Sequence, residues 1–254
     1  MAEYVTGLVS VIIPVYKVEM FIETTISSVL SQTYPDFEIV VVDDCSPDRS
    51  LEIVQRMQKE YSQIRIHSLA QNSGVAVARN AAMDLARGQY VAFLDGDDAW
   101  FPEKLEKQIT LLHEKAGSFS FTAIEMIDEK GTVVKDKRKI VPAVNYKYLL
   151  HNTMIATSSV LVDRALTGAF HMPLRRSGQD YATWLMLLRK GNVAYGVDEA
   201  LVQYRRTEGS LSSNKAKNIR KVWDIQVQYE GISRFAATFH SLCYAWNGVK
   251  KYFF

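Results

Sequence analysis

Asp95, Asp97 and Asp98 stand around Gly96, directly after the apolar run Tyr90-Val-Ala-Phe-Leu94 and before Ala99-Trp100-Phe101-Pro102. In an extended chain, residues two apart project to the same side. Asp95 and Asp97 would therefore present their carboxylates together, with Gly96 leaving the space beside them uncrowded. Two hard oxygen ligands facing one way suit Mg2+ or Mn2+. Held by only one or two protein carboxylates, such an ion completes its shell with water and substrate phosphates, which points to a phosphorylated ligand. A solvated acidic turn is the alternative, because Asp is frequent in surface turns. The position at the end of a buried-type strand, where open α/β sheets gather their ligands, favours the site.

A second acidic pair, Asp43-Asp44, ends the run Phe37-Glu-Ile-Val-Val-Val42. Parallel strands of one sheet would deliver both pairs to the same carboxyl-terminal edge. There the Asp44 carboxylate could accept from a base edge or a ribose hydroxyl, or it could serve turn and capping chemistry ahead of Ser46-Pro47. Asn72-Ser73-Gly74 precedes a helical stretch carrying Arg79, so free N–H groups and a guanidinium could meet an anion; a plain helix start is the alternative. The segment is neither G-x-G-x-x-G nor a Walker pattern, which removes support for dinucleotide or P-loop binding. Asp180 lies three residues after Ser177, the spacing of a capping box, and is equally placed to act as a general base.

The elements that would position these residues follow from periodicity. Val9 to Tyr16, Phe37 to Asp44, Ile64 to Leu69 and Tyr90 to Leu94 read as strands covered on both faces. Between them lie a helix with Phe21, Ile22, Ile26, Val29 and Leu30 on its apolar face, and a second bearing Leu51, Ile53, Val54 and Met57, capped by Ser46 or Asp48. A third, Ala-rich helix runs over 75–87, with Gly88 as its terminator. This alternation predicts a doubly wound, mostly parallel α/β sheet over about the first 115 residues. Pro102 starts a helix with Leu105, Ile109 and Leu112 inward. Residues 118–127 and Val133-Val134 form a hairpin around Glu129-Lys130-Gly131, Thr157 to Val162 a strand, Ser177 to Gly191 a helix and Ala200 to Tyr204 a last strand. The chain thus divides into a doubly wound half (1–117), an α+β half of the same domain (118–212) and a helical tail (213–254).

Thirty basic residues against 28 acidic ones leave a net charge of +2, which excludes a bulk attraction to nucleic acid. Cys45 and Cys243 have no metal-like spacing and suit a reducing compartment, so the cytosol is expected. The run Leu8 to Tyr16 is too short, and too interrupted by Ser10 and Pro14, to be a signal peptide or a membrane span. The tail sets Arg220, Lys221, Arg234, Lys250 and Lys251 among Trp223, Tyr229, Phe235, Phe239, Tyr244, Trp246 and the terminal aromatics. These rings either pack back on the catalytic domain or contact the cytoplasmic face of a membrane, with Trp246 and Lys250 to Phe254 as the contact.

Together, Val-Ile-Ile-Pro14-Val-Tyr16, the Ser31-to-Asp44 stretch, Asn72-x-Gly74-x-x-x-Ala-Arg79-Asn80, Phe-Leu-Asp95-x-Asp97-Asp98 and Gln179-Asp180 resemble the inverting nucleotide-sugar glycosyltransferases of family 2, which have the GT-A fold. The resemblance implies transfer of a hexose from a nucleotide-diphosphate sugar, probable donor UDP-linked, onto a hydroxyl of a saccharide or lipid-linked saccharide in bacterial surface-polysaccharide synthesis. It implies that Asp44 reads uracil, Asp95 touches the ribose, Asp97 binds Mn2+ or Mg2+, and Asp180 is the base. It places Pro14, Tyr16, Asp43, Asn72, Gly74, Arg79 and Gly96 on the donor side. Where many members carry Tyr-Arg-x-His-x-x-Ser, this chain has Tyr204-Arg205-Arg206-Thr207-Glu208-Gly209-Ser210. The histidine is missing, and Arg205, Arg206 or Ser210 would reach the diphosphate instead. The implied setting is the cytoplasm or the cytoplasmic face of the inner membrane. A non-catalytic nucleotide-sugar-binding module and a nucleotidyltransferase are the rival readings.

Overall fold

A computed structural model of the protein describes residues 4–206 and 215–253, with side chains described over 4–206 and 218–247. The first half alternates as its periodicity predicts: β1 (Val5–Val15), α1 (Ile22–Leu30), β2 (Phe37–Asp43), α2 (Ser50–Glu60), β3 (Ile64–Ser68), α3 (Val75–Leu85) and β4 (Gly88–Phe93). A short β5 (Ala99–Trp100) and α4 (Lys104–Lys115) follow. The second half adds β6 (Phe119–Ile127), β7 (Val133–Lys135), β8 (Ala143–Val144), α5 (Tyr146–Leu150), β9 (Leu161–Asp163), α6 (Arg164–Thr167), α7 (Gln179–Arg189) and β10 (Ala194–Arg205). The chain finishes with α8 (Lys215–Gln228) and α9 (Arg234–Phe253).

One sheet runs through both halves in the order β3-β2-β1-β4-β9-β6-β10-β5, with β7 beside β6 and β8 beside β10. β3, β2, β1 and β4 are mutually parallel. β9 is antiparallel to both β4 and β6, and β10 is parallel to β6. The two reversals cancel, so β6 and β10 point the same way as β4. Six strand ends from distant stretches of sequence, together with the start of β9, therefore share one edge.

The sheet is covered on both faces because its strands are apolar on both. Val9, Val11, Ile13 and Val15 of β1 pack with Ile22, Ile26 and Val29 of α1 and with Leu105, Ile109 and Leu112 of α4. Ile12, Val40 and Val42 face the other layer, where Ala78 and Ala82 of α3 meet Trp184, Leu185 and Leu188 of α7. At roughly 25 cal/mol per Å2 of apolar surface removed from water, this two-sided burial is the main term holding the layers together.

Several local expectations change. Gly88 does not terminate α3, whose last cap is Ala86 in extended conformation. It opens β4 instead, and glycine is needed because a Cβ there would lie 2.4 Å from the Leu8 carbonyl oxygen. Asp48, not Ser46, serves the start of α2, accepting from the Ser50 N–H at 3.2 Å. Thr157–Ser159 is a 3-10 turn rather than strand, and only Leu161–Asp163 pairs. The last strand starts at Ala194, six residues earlier than its apolar core suggests, because pairing with β6 carries it through the polar stretch Asp198-Glu199. Gly88→Ala is expected to lower stability by about 1–3 kcal/mol, the usual cost of forcing atoms into a packed region. A urea titration should show a lower midpoint at unchanged slope.

Candidate functional site

The acidic turn after β4 is held from three sides. From α1, the Thr25 hydroxyl donates to the Gly96 and Asp98 carbonyls at 3.0 and 2.7 Å. From the 3-10 turn, Ser158 Oγ accepts the Asp95 N–H at 3.1 Å and donates to Asp98 Oδ2 at 2.5 Å. From the end of β10, the Arg205 N–H donates to Asp98 Oδ1 at 2.8 Å and Arg205 Nε to the Asp97 carbonyl at 2.9 Å. Asp98 is buried, with both carboxylate oxygens bonded within the protein. Asp95 and Asp97 remain half-buried and open. Gly96 is buried against Val18 and the Pro14 carbonyl, where a Cβ would sit 3.1 and 3.2 Å from its neighbours.

Crowding in this turn raises the proton affinity of Asp97 and Asp98. Burial, and then the charge of Asp95, push the Asp97 carboxyl up to about 6. Burial and the same two neighbours hold Asp98 well above the ordinary range. A cation would relieve this crowding. Among the described residues no group of three or more His, Cys, Asp or Glu side chains forms a closed metal cage. The open pair Asp95 and Asp97 has instead the donor set of a Mg2+ or Mn2+ shared with phosphates.

Arg79 is buried in α3 and its Nη2 donates to Asp95 Oδ1, so the anion it meets within the chain is that carboxylate. Its Nε is buried with no partner among the described residues. Asp44 is buried too, and its carboxylate accepts the Ser73 and Gly74 N–H groups at 2.7 and 2.8 Å and Asn72 Nδ2 at 3.1 Å. The loop ahead of α3 is thereby fastened to the end of β2, with Gly74 at φ +91° as the N-cap of α3. Asp43, also buried, accepts the Ser46 N–H at 3.3 Å. Pro14 is buried near the end of β1 and Tyr16 is exposed beyond it, under the Lys17 ammonium.

Asp180 lies in the first turn of α7, but Ser177 makes no capping box with it: the N-cap is Gly178, and no side chain caps the helix. The Asp180 carboxylate, half-buried, accepts from Thr157 Oγ1 at 3.5 Å. Tyr204 lies near the end of β10. Its hydroxyl is held above its usual pKa by burial and then by the charges of Asp98, Asp95, Asp97 and Asp180. Arg205 donates from Nη1 to the Asp128 and Glu129 carbonyls and lies over the Phe21 ring, so it braces the edge. Ser210 and Thr207 lie outside the described residues.

The brace residues Ser158 and Thr157 carry no signal in sequence. Ser158 lies 60 residues from Asp98 and comes beside it only because β9 enters the sheet antiparallel, with its start at this edge.

A mostly parallel sheet with acids gathered on its carboxyl edge and a half-buried acid on the adjoining helix is the architecture of the GT-A class. The family model "Glycosyl transferase family 2" matches residues 10–171, and the chain belongs to that family. It is 43% identical over 244 residues to TuaG of Bacillus subtilis (strain 168), a glycosyltransferase assigned to teichuronic acid biosynthesis, covering 96% of this chain and 97% of that one. It is 36% identical over 251 residues to WfgD of Escherichia coli, named a UDP-Glc:α-D-GlcNAc-diphosphoundecaprenol β-1,3-glucosyltransferase, covering 97% and 96% of the two chains. Its fold matches the crystal structure of the mannosyltransferase PcManGT from Pyrobaculum calidifontis in complex with GDP-Man and Mn2+. The TM-score is 0.66 at 19% identity, covering 93% of this chain and 69% of that one.

The raised Asp97 carboxyl has a stability consequence. Its folded pKa of about 6 lies above the ordinary 3.8. The stabilisation from binding that proton is therefore complete below the lower value and lost as pH rises through the higher one. In EDTA, Asp97→Asn should gain roughly 1–3 kcal/mol in stability at pH 8 and little near pH 4. Urea denaturation at the two pH values checks this, and an equal change at both would contradict it.

Proposed function

We propose that this glycosyltransferase moves a hexose from a UDP-linked donor to a hydroxyl of a lipid-linked saccharide, with inversion and with Mn2+ or Mg2+. The observation that carries the reading is that adjacent residues of one turn reach both parts of the edge: Thr157 donates to Asp180, and Ser158 accepts the Asp95 N–H and donates to Asp98. The named donor and acceptor of WfgD support the substrate class, and the Mn2+ complex of the mannosyltransferase supports the ion. In this reading residues 1–117 hold the donor, 118–212 the acceptor, and the reaction takes place at the cytoplasmic face of a membrane. No described helix is long and apolar enough to cross one.

Asp97, with Asp95, would hold the ion, and Arg79 fixes the Asp95 rotamer through their ion pair. When bound, the ion neutralises charge on the departing diphosphate. Pro14, Tyr16, Asp43, Gly96 and the loop Asn72 to Gly74 line the nucleotide side. Asp44 gives three acceptor positions to that loop, so the remaining lone-pair direction would meet the base. Arg205 shapes the diphosphate end by positioning the Asp97 backbone, with Ser210 following it in the chain. Asp180 takes the proton from the acceptor hydroxyl as its oxygen attacks the anomeric carbon. The bond from that carbon to the diphosphate oxygen breaks in the same displacement, and its electron pair leaves with UDP. Thr157 holds Asp180 in position for this.

Two variants test the assignments, with UDP release from a panel of nucleotide sugars as the assay. Asp180→Asn should retain UDP affinity and lose turnover by about 10²–10⁴-fold, the usual contribution of a general base. Asp97→Ala should lose transfer and the Mn2+ dependence of UDP binding while remaining folded. Full turnover in either variant would remove that residue from its role, and UDP binding without turnover in the parent protein would favour a binding module.

A further inference from the structure

α9 is amphipathic in an unusual sense, because its wet face is also apolar. Ala237 and Ser241 are buried and Tyr244 is packed inward. On the opposite side Phe235, Phe239, Leu242 and Trp246 are 88%, 58%, 66% and 61% exposed. Their spacing of four, three and four residues aligns them in one stripe along the helix. Among the described tail aromatics, Phe235, Phe239 and Trp246 therefore turn outward, while Tyr244 packs inward. Scattered exposed apolar residues need no explanation, but a continuous stripe of two Phe, a Leu and a Trp marks an interaction surface.

The charge around the stripe indicates its partner. α9 contains Arg234, Lys250 and Lys251 and no acidic residue. Residues 213–254 carry seven basic residues against two acidic ones, a net +5 in a chain whose total is +2, so the preceding residues are net negative. One of the two acids, Glu230, has a buried side chain that accepts from Tyr146 at 2.9 Å and faces Arg189 at 3.6 Å. The net positive charge of the chain is thus concentrated in the segment of sequence that carries its apolar stripe. This pairing fits an anionic lipid surface, where aromatic rings sit at the head-group level and basic residues add attraction.

The inner face of α9 holds the acceptor side of the site. Tyr244 bonds Thr153 at 3.2 Å, and Asn247 Nδ2 donates to the His151 carbonyl and to Asn152 Oδ1, both at 3.3 Å. This segment runs directly into Thr157, the partner of Asp180. We infer that the α9 stripe Phe235, Phe239, Leu242 and Trp246 docks the protein on an anionic membrane surface and holds the Asp180 wall toward it. The inference rests on the lipid-linked acceptor of the reading above and extends it to the surface that meets the lipid.

The test sediments the full chain with vesicles of phosphatidylglycerol in phosphatidylcholine and with vesicles of phosphatidylcholine alone, measuring UDP affinity in Mn2+ in parallel. The full chain should sediment with the anionic vesicles at low salt and be released at high salt. Phe239→Ser/Trp246→Ser, at exposed positions, should weaken partitioning by about tenfold or more, given the apolar area withdrawn. Lys250→Gln/Lys251→Gln should weaken it by roughly fivefold for each charge lying near the surface. Both variants should keep the UDP affinity of the parent, which shows that they fold. Equal partitioning of the parent and the Phe239/Trp246 variant would overturn the inference. So would a dimer in sedimentation velocity that the same variant converts to monomer without changing vesicle binding. Vesicle binding that depends on the stripe, in a protein with no UDP affinity, would support the membrane face and remove the donor reading.

Discussion

Everything at the carboxyl edge depends on keeping three carboxylates together where water is scarce. Asp95, Asp97 and Asp98 repel one another, and burial removes the solvent that would screen them. The fold tolerates this by dividing the labour. Asp98 is withdrawn and saturated by Ser158 and the Arg205 N–H, while Asp95 is countered by the buried Arg79. Asp97 is left with little compensation beyond the more distant charges of Arg205 and Arg79. Among the described residues no cationic side chain pairs directly with Asp97, so an added cation there would relieve the crowding.

The partners that make this possible come from four separate stretches of chain, and the sheet is what gathers them. Four parallel strands bring Asp43, Asp44 and the acidic turn to one edge. β9 then enters antiparallel, and its two reversed neighbours bring the start of β9 and the end of β10 to the same place. Ser158 and Arg205 act on Asp98 from these two directions. Inserting one reversed strand thus converts a nucleotide-binding sheet into a site with a second wall, on which Thr157 and Asp180 sit.

That second wall is also where the helical tail is attached. α8 and α9 pack on α5 and α7 through Gln226, which donates to the Leu150 carbonyl and to Tyr181 at 2.9 and 3.1 Å, and through the Tyr244 and Asn247 contacts. The acidic turn is fastened by Thr25, Ser158 and Arg205, whereas the wall carrying Thr157 and Asp180 is supported by elements that also present an apolar stripe outward.

Sequence by itself determined the layers, since strands apolar on both faces can only be buried between helices, and it placed the acids at strand ends, since short β-branched runs stop where Asp and Gly begin. Both are local properties, readable within ten or fifteen residues. It also determined the family, because its motifs are contiguous. Tertiary structure alone decided which acids are exposed and which are withdrawn. Asp98 and Asp97 are adjacent and chemically identical, and only Ser158, 60 residues away, and Arg205, 107 away, distinguish them. Likewise Gly88 looks like a helix terminator until the Leu8 carbonyl of a neighbouring strand is seen against it. The capping box at Ser177 is legible as a spacing yet does not form, because Gly178 takes the N-cap. The tail aromatics follow the same rule: their helical spacing is in the sequence, but which side of α9 meets the protein was settled by the packing of Ala237, Ser241 and Tyr244, a contact between segments far apart in the chain.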